Sequence, residues 1–492
     1  MFLSELLARI PAVEWRENTA AEIGGISYDS RSVQKGDLFV AIRGERADGA
    51  RFIGQAIQSG AVAVAAEGDI DQDPRATAIK VPDARKFLAE ASRVFYGDPS
   101  SELKLVGITG TKGKTTTSYL MESVYSSAGF RSCLAGTIEM RIGDKKFHSS
   151  HTTPESADLM RFLRQAVADK CTHGVMEVSS HSLELQRVYK TRFTVGIFMN
   201  LTHDHLDFHG DMETYFKAKR ILFSDANGNG IESAVVNTDD PYGQRLAAEV
   251  NMPVLRFGFN EQAEIRAVSY KSHFDGTDLE CETPAGRLRF HLHLVGRPNV
   301  YNVMAATGAS LALGLDPETI RAGIESLEGV PGRMELVDAG QEFRVIVDYA
   351  HSPDSMQNLL ETVRQLPHEK LIVVFGCGGD RDRTKRPVMG EIAAKMSDFV
   401  FATSDNPRTE DPLDILNEIE PGLQRGTAPY AIVPDRREAI ASAVSMAKRG
   451  DAVVIAGKGH EDYQIIGTRV IAFDDRKLAR ELLLEKLKAV RP

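Results

Sequence analysis

Residues 103–116 read Leu103-Lys104-Leu105-Val106-Gly107-Ile108-Thr109-Gly110-Thr111-Lys112-Gly113-Lys114-Thr115-Thr116. An apolar run, a glycine-rich stretch with lysines and a helix-forming run follow one another without a break. That order predicts a strand, a phosphate-binding loop and a helix. Glycines let backbone N–H groups curl round phosphates, and the helix N-terminus adds a favourable dipole. In this reading Lys114 meets the β- and γ-phosphates of a nucleotide and Thr115 supplies an oxygen ligand to Mg²⁺. Ile108 stands where the strict Walker pattern has glycine, so the loop is one residue out of that register. A glycine- and threonine-rich turn without a ligand is the plainer alternative.

Downstream of this loop, apolar runs at Gly174–Val178, Val195–Met199 and Ala234–Val236 alternate with helical patterns, the mark of a mostly parallel α/β sheet. Residues 262–294 alternate instead, with turns at Asp275-Gly276 and Pro284-Ala285-Gly286, which predicts a small antiparallel insertion. Beyond Gly329-Val330-Pro331-Gly332 the strand–helix rhythm restarts. Strands are expected at Val345–Val347, Leu371–Phe375, Phe399–Ala402 and Ala452–Ile455, with helices from Pro353 to about Gln365 and from Val388. Upstream, a first block with strands at Leu38–Ile42 and Ala61–Ala66 closes in the turn-rich stretch Tyr96–Ser101.

Further chemistry sits where these strands end. Met176-Glu177-Val178-Ser179-Ser180-His181 places a carboxylate at the end of a buried strand, facing the usual ligand crevice. Glu177 could hold a metal there, although a glutamate closing a strand is commonly just solvated. Residues 200–210, Asn200-Leu201-Thr202-His203-Asp204-His205-Leu206-Asp207-Phe208-His209-Gly210, concentrate histidines and aspartates. They stand one residue out of register from a dinuclear zinc pattern, and a phosphate loop upstream favours magnesium with oxygen ligands. Asp348-Tyr349-Ala350-His351-Ser352-Pro353-Asp354, Gly376–Arg383, Ser404-Asp405-Asn406-Pro407-Arg408 and Ala456-Gly457-Lys458-Gly459-His460-Glu461 all follow strands of the last block. They should therefore line one crevice.

The whole chain has 492 residues, enough for two to four domains at roughly 100–200 residues each. Its net charge of −10 argues against nucleic acid as a partner. An anionic substrate must then be held by local cations and backbone N–H groups. The cysteines (Cys133, Cys171, Cys281, Cys377) are widely spaced, which argues against a zinc ribbon and a disulfide framework and suits a reducing compartment. No basic-then-apolar leader is read at Met1–Glu5 and no run approaches the ~18 residues of a bilayer span. A cytoplasmic protein without membrane insertion is expected, by default a monomer.

With these segments in order along nearly its full length, the chain resembles the Mur ligases, ATP-dependent amide-bond ligases of bacterial peptidoglycan precursor synthesis. The marks are Thr109–Thr116, Glu177 with His181, Asp204-His205 with Asp207, Gly296-Arg297-Pro298-Asn299-Val300-Tyr301-Asn302, Gly332-Arg333 and Asp348-Tyr349-Ala350-His351. The resemblance implies an α/β protein of three domains. These are a small N-terminal UDP-substrate domain (1–98), a central P-loop ATPase domain with the antiparallel insertion (99–330), and a C-terminal Rossmann-like amino-acid domain (331–492). His151-Thr152-Thr153-Pro154, the Glu177 segment and Asp405-Asn406-Pro407-Arg408 are similar to the branch that adds the third stem-peptide residue. In that branch the Asp-Asn-Pro-Arg form accompanies meso-2,6-diaminopimelate. Departures from the pattern are Lys112 for asparagine, His151 for asparagine and Leu185 for glutamine.

The implied reaction joins meso-2,6-diaminopimelate to UDP-N-acetylmuramoyl-L-alanyl-D-glutamate through an acyl phosphate, with ATP as co-substrate and two Mg²⁺ ions as cofactors. By resemblance, ATP is held by Gly110, Thr111, Lys112, Gly113, Lys114, Thr115, Thr116, Asn299, Asn302, Arg333 and Asp348. The metals fall to Thr115, Glu177, His205 and a Lys219 carbamylated by CO₂, and Lys114, Glu177, His205 and Lys219 form the catalytic set. From the residues alone Lys219 is merely an exposed helical lysine. Ser30, Thr152, Thr153, Ser179 and Arg187 go to the UDP-linked substrate. Arg381, Asp405, Asn406, Pro407, Arg408, Gly457 and Glu461 go to diaminopimelate. Arg408 offers a two-pronged donor matched to the distal carboxylate that lysine lacks. The alternatives are the same ligase adding L-lysine, a folate polyglutamate-type ligase, a metallohydrolase and a nucleotide switch.

Overall fold

The computed structural model of the chain describes residues 1–10, 14–15, 21–44, 47–71 and 73–490. Two compact units emerge. One comprises Met1–Leu201, Asp211–Ile265 and Ala305–Gly323, the other Thr202–Gly210, Arg266–Met304 and Ile324–Pro492.

In the first unit, β1 (Glu14–Trp15), β2 (Gly25–Ser27), β3 (Asp37–Val40), β4 (Ala63–Ala66) and β5 (Thr77–Lys80) form a sheet of order β1-β5-β4-β3-β2. All its pairings are parallel except β1 with β5. Alternation along β3 explains its unbroken apolar run. Leu38 and Val40 pack with Leu3, Leu6, Phe87 and Leu88, whereas Phe39 packs on the opposite face with Ala56, Ile57 and Val64. The helix Ala84–Phe95 starts at Asp83, whose carboxylate accepts from the N–H groups of Arg85 and Lys86.

The same unit holds a larger sheet. Its strands are β6 (Lys104–Thr109), β7 (Ser132–Ala135), β8 (Glu139–Ile142), β9 (Lys145–His148), β10 (His173–Glu177), β11 (Val195–Phe198), β12 (Ser233–Asn237) and β13 (Val254–Gly258). Their order is β13-β12-β11-β6-β10-β7-β8-β9. β6 lies between β10 and β11, parallel to both, and β7-β8-β9 turn back as an antiparallel meander. The glycine-rich loop after β6 therefore opens where the ends of β10 and β11 also arrive.

In the second unit, β14 (Ile265–His273), β15 (Gly276–Thr283) and β16 (Gly286–Leu292) form the expected antiparallel insertion. β17 (Glu335–Leu336), β18 (Arg344–Asp348), β19 (Leu371–Phe375), β20 (Phe399–Ala402), β21 (Tyr430–Ile432) and β22 (Ala452–Ala456) make a sheet of order β17-β18-β22-β19-β20-β21. It is parallel apart from β17. Its two faces are buried separately. Ile346, Val373 and Val454 pack with Met356, Leu360 and Val363, while Val345, Val347, Val453 and Ile455 pack with Ile440, Val444, Leu478 and Leu483. A short hairpin of β23 (Tyr463–Ile466) and β24 (Arg469–Ala472) follows.

One helix departs from the sequence expectation. It begins at Lys385 rather than Val388 and runs to Met396. Pro387 lies in its first turn, where the missing N–H has no helical acceptor to lose. Among the described residues no helix is long and apolar enough to cross a membrane.

Candidate active site

The loop after β6 is shaped by its glycines and clamped by one asparagine. Gly110 has φ +148°, and a Cβ there would lie 2.7 Å from the Cβ of Met199. Gly113 (φ +91°) precedes the helix Lys114–Ser127. From the end of β11, Asn200 grips the loop twice over. Its carbonyl accepts from Thr111 N–H at 2.9 Å, and its side chain accepts from Lys112 N–H at 2.8 Å and donates to Lys112 O at 3.2 Å. The Lys114 ammonium reaches back to the carbonyls of Gly110 (2.8 Å) and Thr111 (3.1 Å). Thr116, one residue further along the helix, is buried.

Glu177 ends β10 and is buried, 1% exposed, rather than solvated. Its carboxylate accepts from Thr115 Oγ1 at 2.9 Å, from Thr137 N–H at 2.7 Å and from Thr137 Oγ1 at 3.0 Å. The loop threonine and the strand-end acid thus meet as an oxygen pair, the donor type a hard cation such as Mg²⁺ prefers. Lys219, on the helix Met212–Arg220, corrects the reading taken from the residues alone. It is 1% exposed, donates to Gly110 O at 2.9 Å and lies 4.6 Å from the centre of the Tyr215 ring. A buried lysine against the loop backbone is no surface decoration.

Around the end of β10 the sugar-peptide candidates cluster. Thr152 Oγ1 lies 3.1 Å from Thr137 Oγ1. Thr153 Oγ1 donates to Glu177 O at 2.8 Å and accepts from Ser179 N–H at 3.1 Å. Arg187 donates to Thr153 O and to the carboxylate of Glu155, both at 3.2 Å, and Arg85 reaches that carboxylate at 3.3 Å. Ser30, buried near β2, donates to the Gln55 amide at 3.1 Å.

In the second unit, His205 has a left-handed backbone (φ +55°) and its Nδ1 stands 3.8 Å from Asp204. Among the described residues no three His, Cys, Asp or Glu side chains gather as a metal cluster. Asn299 and Asn302, buried in the helix Arg297–Ala312, are linked at 2.9 Å, and Asn299 also donates to Val295 O. Asp348 ends β18 and accepts from the N–H groups of Met334 and Ala350, both at 2.8 Å. The Arg333 guanidinium lies 4.8 Å from the centre of the Tyr349 ring, and that ring packs on His460. Burial, with Arg333 and Arg476 nearby, pushes the His460 imidazole down to about 3, so it is neutral at physiological pH.

The ends of β18, β22, β19 and β20 are neighbours, so the four motifs that follow them share one edge of this sheet. Asp405 is buried, and Gly457 (φ +116°) makes room for it, since a Cβ there would lie 2.6 Å from Asp405 Oδ2. Asn406, 1% exposed, donates to Glu461 Oε2 at 2.8 Å and accepts from Ile465 N–H at 2.9 Å. Burial and the neighbouring Asp405 raise the Glu461 carboxyl above its ordinary range. Half-buried Arg408, in a left-handed backbone (φ +53°) after Pro407, donates to Gly379 O at 2.7 Å. Arg381 is exposed and donates to Asp380 O.

Sequence reasoning passed over several supports. Thr137 holds Glu177, and its only signal was Gly136-Thr137 directly after a strand. Arg386, 0% exposed, donates to Glu410, Glu418 and Gly378 O, and so props the loop that carries Arg381.

Residues 22–96 match the catalytic domain of the Mur ligase family, 108–310 the Mur ligase middle domain and 332–459 the Mur ligase glutamate ligase domain. The UDP-N-acetylmuramoyl-L-alanyl-D-glutamate--2,6-diaminopimelate ligase of Syntrophomonas wolfei is 46% identical over 468 residues, covering 95% of this chain and 96% of that protein. The ligase of the same name from Gloeobacter violaceus is 48% identical over 488 residues, 99% of each chain. A solved structure of a ligase of this name superposes with a TM-score of 0.71 at 31% identity, over 99% of both chains.

Proposed function

The chain belongs to the Mur ligase family, and on that premise we propose that it adds meso-2,6-diaminopimelate to UDP-N-acetylmuramoyl-L-alanyl-D-glutamate at the expense of ATP. It is an acid–amino-acid ligase of peptidoglycan precursor synthesis. The observation that carries the choice of amino acid is the Arg408 guanidinium, half-buried beside Gly379 O at the carboxyl edge of its sheet.

A free carboxylate is a poor electrophile, so the acid must be activated first. An oxygen of the D-glutamate γ-carboxylate attacks the γ-phosphorus of ATP and ADP leaves. An uncharged amine of diaminopimelate then attacks the carbonyl carbon, a tetrahedral species expels phosphate, and the new amide nitrogen loses its proton. The protein's contribution is chiefly placement and charge neutralisation. Lys114 and the other loop N–H groups face the phosphates, and Asn200, by taking the N–H groups of Thr111 and Lys112, holds the loop in shape. Asn299, Asn302, Arg333 and Asp348 hold the rest of ATP. Thr152, Thr153, Ser179, Arg187 and Ser30 hold the UDP-linked dipeptide.

Thr115 and Glu177 would hold one Mg²⁺ ion, and His205 keeps its expected role as a ligand. Bound magnesium supplies charge neutralisation on the phosphates. Lys219, as an amine attacking CO₂ and losing a proton, becomes a carbamate and offers an anion to a second ion. Residues 1–98 serve the UDP end, 99–330 ATP and 331–492 the amino acid. The cytoplasm is the proposed compartment, because the cysteines are all free and buried and suit a reducing environment.

The direct test is phosphate release by the purified chain. It should require ATP, the UDP-linked dipeptide and diaminopimelate together and yield the tripeptide nucleotide. Release that ignores the amino acid would contradict the proposal.

A further inference from the structure

The segment Gly457-Lys458-Gly459-His460-Glu461 supplies two residues to the proposed amino-acid site, and neither of them is its lysine. Lys458 nevertheless sits inside that site. It is wholly buried, 0% exposed, just past the end of β22. Its ammonium donates to Glu461 Oε2 at 3.2 Å and to Asn406 Oδ1 at 3.3 Å, and lies 5.5 Å from the centre of the Tyr463 ring. Asn406 Nδ2 donates to the same Glu461 oxygen at 2.8 Å, closing a triangle of three side chains. Asp405, also buried, adds a second carboxylate.

Taking an ammonium fully out of water is costly unless it is paired. Its burial between an amide and a carboxylate therefore calls for a function. We propose that Lys458 is a positioning residue for the amino-acid substrate: its ammonium holds the Glu461 carboxylate ionised and fixed in orientation, ready to receive an ammonium of the diamino acid. This rests on the acceptor-site reading given above.

Charge balance supports the assignment. The charged and titratable groups that act on Glu461 include Asp405, Lys458, Arg436, Tyr349 and Tyr463, beside the amide of Asn406. Burial and Asp405 both favour a protonated, neutral Glu461, and a neutral acid binds an ammonium poorly. Lys458 donates directly to the Glu461 carboxylate and opposes that drift.

The test compares K458M, K458Q and E461Q with the wild-type full chain. K458M should raise KM for diaminopimelate about 10- to 100-fold, with KM for ATP and for the UDP-linked dipeptide unchanged. K458Q, which keeps a donor and loses the charge, should show most of that rise, and it carries the test if K458M does not fold. In the E461Q background K458M should add no further loss, because the lysine acts through that carboxylate. Equal rises in all KM values, a wild-type KM in K458Q, or losses that multiply in the double variant would overturn the inference. If the wild-type chain does not ligate diaminopimelate, the acceptor reading itself fails. If it does and K458M keeps its KM, only the role of Lys458 fails.

Discussion

Asn200 and Lys219 show what single residues contribute. Asn200 makes two side-chain hydrogen bonds to Lys112 and one main-chain bond to Thr111. Asn200→Ala leaves the main-chain bond and removes the others, which should cost about 1–3 kcal/mol of loop order. The expected readout is a raised KM for ATP with little change in KM for the amino acid. Lys219→Ala should be inactive if the lysine works as a carbamate, and short carboxylates such as acetate should restore part of the rate. Absence of rescue over a wide acetate range would count against the carbamate. The strand, glycine-rich loop and helix at 104–127 and the place of Glu177 at a strand end were legible because they follow from a local pattern. The burial of Lys219 was not, since it depends on Gly110 reaching it from elsewhere in the fold.

At the scale of elements, strand interiors read well because both faces of these parallel sheets are covered and the apolar runs are continuous. Sheet order is a long-range property, and nothing near β6 announces that β10 and β11 flank it. Helix starts depend on caps and first-turn prolines, which is why the helix at Lys385 begins earlier than expected. On that helix, Arg386 ties Glu410 and Glu418 to the loop at Gly378. Arg386→Met should lower stability by about 3 kcal/mol, the low end for a broken buried pair because both acids retain some contact with water. Urea unfolding measures this. The Glu410 carboxyl is held down at about 2 by Arg386, against an ordinary 4.5. Its contribution is therefore complete above that ordinary value and is lost as pH falls toward 2. The wild-type chain should lose stability across this window, and the Arg386 variant should lose less.

For the whole molecule, the two compact units are assembled from discontinuous stretches, which a reading along the chain cannot foresee. The net charge of −10 makes selectivity a local matter. An anionic dipeptide nucleotide, ATP and a zwitterionic amino acid must each find cations that outweigh their surroundings. For the amino acid, the distinguishing cation in the proposed site is Arg408. In that proposal diaminopimelate would present a carboxylate to it, whereas L-lysine would present none and leave the guanidinium without its partner. The most direct measurement is the ratio of kcat/KM for diaminopimelate to that for L-lysine, in the wild-type chain and in Arg408→Ala. The ratio should be large and should fall about 10- to 100-fold in the variant, through loss of diaminopimelate use. A ratio unmoved by the substitution would contradict this role of Arg408.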